Sequence, residues 1–205
     1  MASLETEPPL GLYVHLPWCV VKCPYCDFNS HELRGELKVD AYTDALLTDW
    51  DSERERVQGR ELSTVFFGGG TPSLFPAAAV ARVLQATGVD SVRAEVTLEA
   101  NPGAAEHDAF SAYRDAGVNR LSLGVQSFDD QKLRALGRVH DGAAARRAIE
   151  RARRAGFENF NIDLMVGLPG QTLGDALGDL DQALAFEPTH VSHYQLTLEP
   201  GTPFS

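Results

Sequence analysis

The sequence predicts an α/β fold: an open, partial (β/α)6 barrel of parallel strands with outer helices. Three observations carry this expectation. Short apolar runs suited to buried strands alternate with longer segments of helical period. One helix-to-strand junction is used twice: Tyr113-Arg114-Asp115-Ala116-Gly117-Val118-Asn119 feeds one apolar run and Arg153-Arg154-Ala155-Gly156-Phe157-Glu158-Asn159 feeds the next, as expected of stacked β/α units. Finally, the strand runs number six, too few to close an eight-stranded barrel, and right-handed crossovers wind them in one direction.

The first strand, over 11–16, is a short β-rich run stopped by Pro17, and it opens directly into a cysteine loop. A helix over 39–57 follows, with Tyr42, Ala45, Leu46 and Trp50 at helical spacing among carboxylates. Thr64-Val65-Phe66-Phe67 is a fully apolar strand ending in Gly68-Gly69-Gly70-Thr71-Pro72, a turn in which backbone can approach a ligand that side chains would fend off. Pro76 opens a helix that runs through Val80, Val83 and Leu84 towards Gly88.

The third strand, from Glu95 to Asn101-Pro102, alternates, with Val96 and Leu98 on one face and Thr97 and Glu99 on the other. Glu99 at its end can reach a ligand over the sheet's carboxyl edge; an exposed strand end is the plainer reading. A helix over 107–116 closes at Gly117, and the fourth strand covers 120–127. Helices over 129–136 and 142–155 separate it from the fifth, 160–166. That strand ends in Gly167-Leu168-Pro169-Gly170-Gln171-Thr172, a loop suited to carrying a flat apolar ring such as adenine against backbone. A helix over 173–186 and a sixth strand over 189–198 complete the order, each strand apolar enough to be buried on both faces. His190 and His193 resemble a ligand pair, but a period of two sends them to opposite faces.

All three cysteines, Cys19, Cys23 and Cys26, fall in one C-x-x-x-C-x-x-C run. Three soft ligands on one short loop can grip three corners of a cubane iron–sulfur cluster and leave the fourth iron open to a small molecule. A disulfide framework fails on parity. A zinc site recruiting His15 or His31 and a set of inert thiols stay open as alternatives on this triplet alone.

Net charge is −11, which repels nucleic-acid backbones and anionic lipid. The one basic run, Arg146-Arg147 to Arg153-Arg154, has helical spacing and reads as a solvated helix face rather than a binding patch. The start, Met1 to Pro9, has neither a basic beginning nor an apolar run, and no stretch is long enough to span a bilayer. A reducing cytoplasm is the expected location, where a labile cluster survives.

At the cysteine run, with Tyr25 just before the last Cys, the chain resembles the radical S-adenosylmethionine (SAM) superfamily. GGGTP matches that superfamily's GGxP-like element in register. The resemblance implies a [4Fe-4S] cluster whose open iron chelates the methionine part of SAM and, once reduced, splits its S–C5′ bond to a 5′-deoxyadenosyl radical. It also implies the partial (β/α)6 barrel. YVHLPWC, CPYCDFNSH, FFGGGTPS, LEANP, LGVQSF, LGRVH, DLMVGLPGQT and YQLTLEPGT together look like the oxygen-independent coproporphyrinogen III oxidase group and the related HemW-type heme chaperones. The oxidase carries a further cysteine two residues after the last cluster ligand; Phe28 stands there in this chain, which favours the chaperone branch.

On that resemblance Cys19, Cys23 and Cys26 hold the cluster, Tyr13 and Gly69 contact SAM near it, and Glu99 contacts its ribose or methionine end. Tyr25, Gly70, Thr71, Gln126, Arg138 and Asp163 match the contacts of a second SAM in the oxidase. Pairing with Asp141 is the plainer reading of Arg138, whereas Asp163, between Ile162 and Leu164, must find a partner. The implied function is to bind heme and hand it to a membrane-bound respiratory hemoprotein, with an electron donor serving the cluster. The alternative is an oxygen-independent coproporphyrinogen III oxidase acting in porphyrin biosynthesis. Residues 1–205 correspond to the radical SAM core domain, and the family's C-terminal domain is expected to be missing from this chain, as in a truncated product or fragment.

Overall fold

A computed structural model describes residues 8–57, 59–103 and 108–205. The expected helix start at His107 and the leader reading of residues 1–7 lie outside these described residues. Six strands form one parallel sheet: β1 (Leu10–Leu16), β4 (Leu62–Gly69), β5 (Glu95–Ala100), β6 (Arg120–Gln126), β7 (Phe160–Val166) and β8 (His190–Gln195), side by side in that order. Two short strands unforeseen in the sequence, β2 (Trp18–Cys19) and β3 (His31–Glu32), pair in parallel across the cysteine loop. Helices α1 (Val39–Glu53), α2 (Ala77–Thr87), α3 (Phe110–Asp115), α4 (Asp130–Ala135), α5 (Gly142–Arg154) and α6 (Leu173–Ala185) make the connections. The open six-stranded α/β arrangement expected from the sequence is what the chain adopts.

Side-chain alternation divides the sheet sharply. Val65, Phe67, Val96, Leu98, Leu121, Leu123, Ile162 and Leu164 belong to one buried core; each such side chain removed from water contributes about 1.5–3 kcal/mol. The opposite face of β5 to β8 is polar, contrary to the expectation of strands apolar on both faces. Arg120 donates to Thr97 Oγ1 at 3.2 Å and lies 3.8 Å from Glu95 Oε2. Asn161 donates to Ser122 Oγ and Asp163 Oδ1 at 2.8 and 2.7 Å, and Ser192 donates to Asn161 Oδ1 at 3.1 Å. Polar groups this deep persist because they satisfy one another.

Two boundaries move for local reasons. α1 stops at Glu53 instead of reaching Val57, because its last turn holds Asp51 and Glu53 and no basic residue, so the negative end of the helix dipole is unmatched. β8 stops at Gln195 because its neighbour β7 ends at Val166, where Gly167 turns away with φ 78°. Elsewhere the ends agree to within a residue or a few. Asp129 and Asp141 cap α4 and α5, and Thr172 with Asp175 forms a capping box on α6. α2 begins at Ala77 with no cap of its own; Asp108 supplies it, accepting from Ala77 N at 2.7 Å.

The basic run on α5 is more than a solvated face. The guanidinium groups of Arg146, Arg151 and Arg153 lie 5.3, 5.8 and 5.9 Å over Phe128, Phe110 and Phe160, covering core aromatics with their long stems.

Candidate functional site

The six parallel strands of the main sheet all deliver their C-terminal ends to one edge, and a cleft of about 250 Å³ opens there. Its root is the cysteine loop. Tyr42 donates to the His15 carbonyl at 2.9 Å and stacks edge-on against Trp18 at 4.5 Å, so α1 fixes the point where β1 becomes the loop. Lys22 Nζ donates to the Phe28 and Ser30 carbonyls at 2.9 and 3.0 Å, and the loop's far end returns through His31 N to Pro17 O at 2.7 Å. His15 Nε2 donates to the Asn29 carbonyl at 2.9 Å, which leaves Nδ1 to accept from Tyr13 Oη at 3.1 Å.

The three glycines at the end of β4 pack first against β1 and the start of this loop. A Cβ on Gly68 would lie 2.8 Å from the Tyr13 ring, one on Gly69 2.8 Å from the His15 imidazole, and one on Gly70 2.5 Å from the Trp18 carbonyl oxygen. Gly70 N and Thr71 N then donate to Leu16 O and Trp18 O at 2.9 and 2.7 Å. The expected open approach to a ligand is therefore first a close approach to β1 and the start of the cysteine loop, although Gly69, Gly70 and Thr71 also line the cleft.

Across from the thiols sits Arg138. Its Nη2 donates to Asn101 Oδ1 at 2.6 Å and Gly124 O at 2.8 Å, and its Nη1 to Cys23 Sγ at 3.5 Å. Pairing with Asp141 is overturned: that carboxylate caps α5, accepting from Ala144 N at 2.6 Å, and faces Arg147 at 4.0 Å. Beside Arg138, β6 carries a bulge between Leu123 and Gln126, and Gln126 has φ 68°. A non-glycine residue there is strained by about 1–2 kcal/mol, and the twist directs Gln126 Oε1 to the Tyr194 hydroxyl at 2.7 Å.

Two carboxyls line the same cleft, Glu99 on β5 and Asp163 on β7. Burial, then the Asp163 charge, pushes the Glu99 carboxyl up to about 7, opposed by the Gly69 backbone amide. Burial raises Asp163 as well, against the hydrogen bonds of Asn161, Ser122 and Ser192. Burial also lifts the Tyr25 phenol well above its usual range, with Arg138 pulling the other way. His140, packed behind, is driven down to about 4 by burial and by Arg138; its Nε2 donates to Val125 O at 3.1 Å.

Of the residues singled out in the sequence, Cys19, Cys23, Cys26, Tyr25, Gly69, Gly70, Thr71, Glu99, Gln126, Arg138 and Asp163 all line this one cleft. Tyr13 does not: it is 56% exposed and stacks on Phe66 at 6.1 Å. The Gly167–Thr172 turn does not either. Leu168 turns into a small core with Leu136 and Met165, while Gln171 Oε1 accepts from Gly167 N and Leu168 N, folding the loop on itself. Asn101, Ser122 and Tyr194 belong to the site and were missed as such. Asn101, two residues beyond Glu99 at a strand end, gave the only local signal.

The donor set fits an iron–sulfur cluster. All three thiols line one cleft, and a permanent guanidinium faces one of them. Among the described residues no group of three or more His, Cys, Asp or Glu is drawn together to hold a single ion.

Residues 13–183 match the family model of the radical SAM superfamily. The chain belongs to that superfamily, whose members carry a [4Fe-4S] cluster and SAM. Within it, sequence likeness runs to the HemW branch: the chain is 53% identical over 205 residues to "Heme chaperone HemW" of Escherichia coli K12, spanning 96% of this chain and 53% of that protein. It is 42% identical over 195 residues to the mouse "Radical S-adenosyl methionine domain-containing protein 1, mitochondrial", spanning 94% and 44%. Among solved structures, coproporphyrinogen III oxidase (HemN) from Escherichia coli superposes with a TM-score of 0.83 at 33% identity, over 95% of this chain and 45% of that one. The chain thus spans about half the length of the curated relatives it matches.

Proposed function

We propose that this chain is the radical SAM core, residues 1–205, of a cytoplasmic heme chaperone that binds heme and passes it to a respiratory hemoprotein. The observation that carries the reading is Phe28. It lines the rim of the cleft, 68% exposed, at the position where the resemblance to the oxidase asks for a fourth cysteine. The likeness to proteins named heme chaperone supports the same branch. Among the described residues no helix is long and apolar enough to cross a membrane.

Cys19, Cys23 and Cys26 would hold three corners of the cluster, and SAM would take the fourth. When bound, the pair supplies one-electron chemistry at the S–C5′ bond, fed by an electron donor. The chain's own groups bind and orient around it. Glu99 and Asp163 offer negative charge to a ligand bearing an ammonium and a sulfonium. Gly69, Gly70 and Thr71 present backbone, and Gln126 is held by Tyr194. Tyr25, half-buried in the cleft lining beside Cys23 and Cys26, helps exclude water. Tyr13, hydrogen-bonded to His15, would contact SAM near the cluster.

The test is the full-length natural protein, anaerobically loaded and reduced, titrated with hemin and assayed separately with SAM and coproporphyrinogen III. Stoichiometric heme binding without porphyrinogen turnover is expected. Formation of protoporphyrinogen with matching 5′-deoxyadenosine would make it an oxidase and overturn the proposal.

A further inference from the structure

Among the described residues, Arg138 is the one Lys or Arg lining the cleft, and it is partly buried. Among the described residues Arg138 takes part in no ion pair, and its Nε is shut off from solvent without a partner. A buried guanidinium without a counter-charge is costly, so the structure must supply one. The groups facing it are the phenols of Tyr25 and Tyr194 and the Cys23 sulfur.

Its aim is fixed from three directions. Asn101 Nδ2 donates to Thr71 Oγ1 at 2.9 Å, which turns the amide oxygen to Arg138. The β6 bulge presents the Gly124 carbonyl to the same nitrogen, and a Cβ at Gly124 would lie 2.6 Å from Asn101 Oδ1 and 3.4 Å from Arg138 Nη2. Next to it, Gly137 has φ 71°, and a Cβ there would lie 2.6 Å from Pro24 Cδ, so the backbone of this turn is seated directly on the cysteine loop. With Nη2 held by two oxygens, Nη1 is left pointing at Cys23 Sγ.

We infer that Arg138 is a positioning residue for the cluster's electronics: its fixed Nη1–H donates to the Cys23 sulfur and raises the reduction potential of the cluster that this thiolate holds. Reduction adds one electron and no proton, so the added negative charge spreads onto the sulfurs. A hydrogen bond and a positive charge at a ligating sulfur stabilise the reduced form more than the oxidised one. The inference rests on the cluster but not on heme as cargo.

The experiment is a redox titration of the anaerobically reconstituted full-length protein, without SAM and without heme, using dithionite as reductant and the electron paramagnetic resonance signal of the reduced cluster as readout. Arg138→Gln, with iron and sulfide content equal to the parent, is expected to become about tenfold harder to reduce, a shift of ~59 mV to lower potential for a one-electron couple. Arg138→Lys, which keeps the charge but not the fork, is expected to fall between. An unchanged potential in Arg138→Gln overturns the inference. If Arg138→Gln takes up no iron, Arg138→Lys decides: a potential equal to the parent's overturns the inference. Failure of hemin to bind would leave this result untouched.

Discussion

His15 donates through Nε2 to the carbonyl of Asn29, 2.9 Å away, so a side chain on the first sheet strand holds the far limb of the cysteine loop. Removing it leaves that carbonyl without its protein donor. His15→Ala is expected to lower stability by about 1 kcal/mol, and to speed iron loss to a chelator several-fold while far-ultraviolet circular dichroism stays unchanged. Iron release at the parent rate would show that the loop does not depend on this tie.

Gly70 lies outside the left-handed backbone region, so its intolerance is steric. A methyl group would sit 2.5 Å from the Trp18 carbonyl oxygen, a backbone atom that cannot swing aside. Gly70→Ala is expected to cost about 1–3 kcal/mol, read as a lower urea midpoint, and to reduce iron uptake. Gly178→Ala, where nothing lies within 4 Å of the added methyl, is the control and should be neutral or slightly stabilising.

Glu99 titrates with a folded-state value near 7, above that of an unfolded glutamate. Between those values the folded chain binds more protons than the unfolded one, so stability is lost as pH rises through this window. The span is worth up to ~3 kcal/mol. In the cofactor-free protein, Glu99→Gln is expected to gain stability over the parent at pH 8 and to lose that advantage at pH 4.5. Parallel urea midpoints across this range would mean that Glu99 is not held in this way.

Gln126 combines a strained φ of 68° with a hydrogen bond from Tyr194. Gln126→Gly removes both and should be close to neutral, while Gln126→Ala keeps the strain and loses the bond. The alanine variant is expected to unfold about 1 kcal/mol more readily than the glycine variant, measured by denaturant titration. Equal stability of the two would place no strain at the bulge.

Much of this architecture was legible because it is written in short contiguous runs. The cysteines, the triple glycine and Glu99 each declare themselves within a few residues. Features that depend on distant partners did not. Tyr194 meets Gln126 across 68 positions of sequence, and Arg138 read as a partner of nearby Asp141 although its acceptors come from the ends of β5 and β6. The polar face of β5 to β8 was hidden because each Ser, Asn, Thr or Asp is affordable only through a neighbour on another strand. The stacking of Tyr13 on Phe66 was hidden because it depends on β1 pairing with β4 at the sheet's edge.

The sheet's spatial order is also the order in which the ribosome makes its strands. Each new strand therefore finds its neighbour already synthesised, and growth proceeds by accretion from one edge. The amides that frame the thiols arrive early, with Gly70 and Thr71, while the guanidinium that faces Cys23 is made almost seventy residues later. During synthesis the metal-binding loop thus gains its frame before it gains its charge.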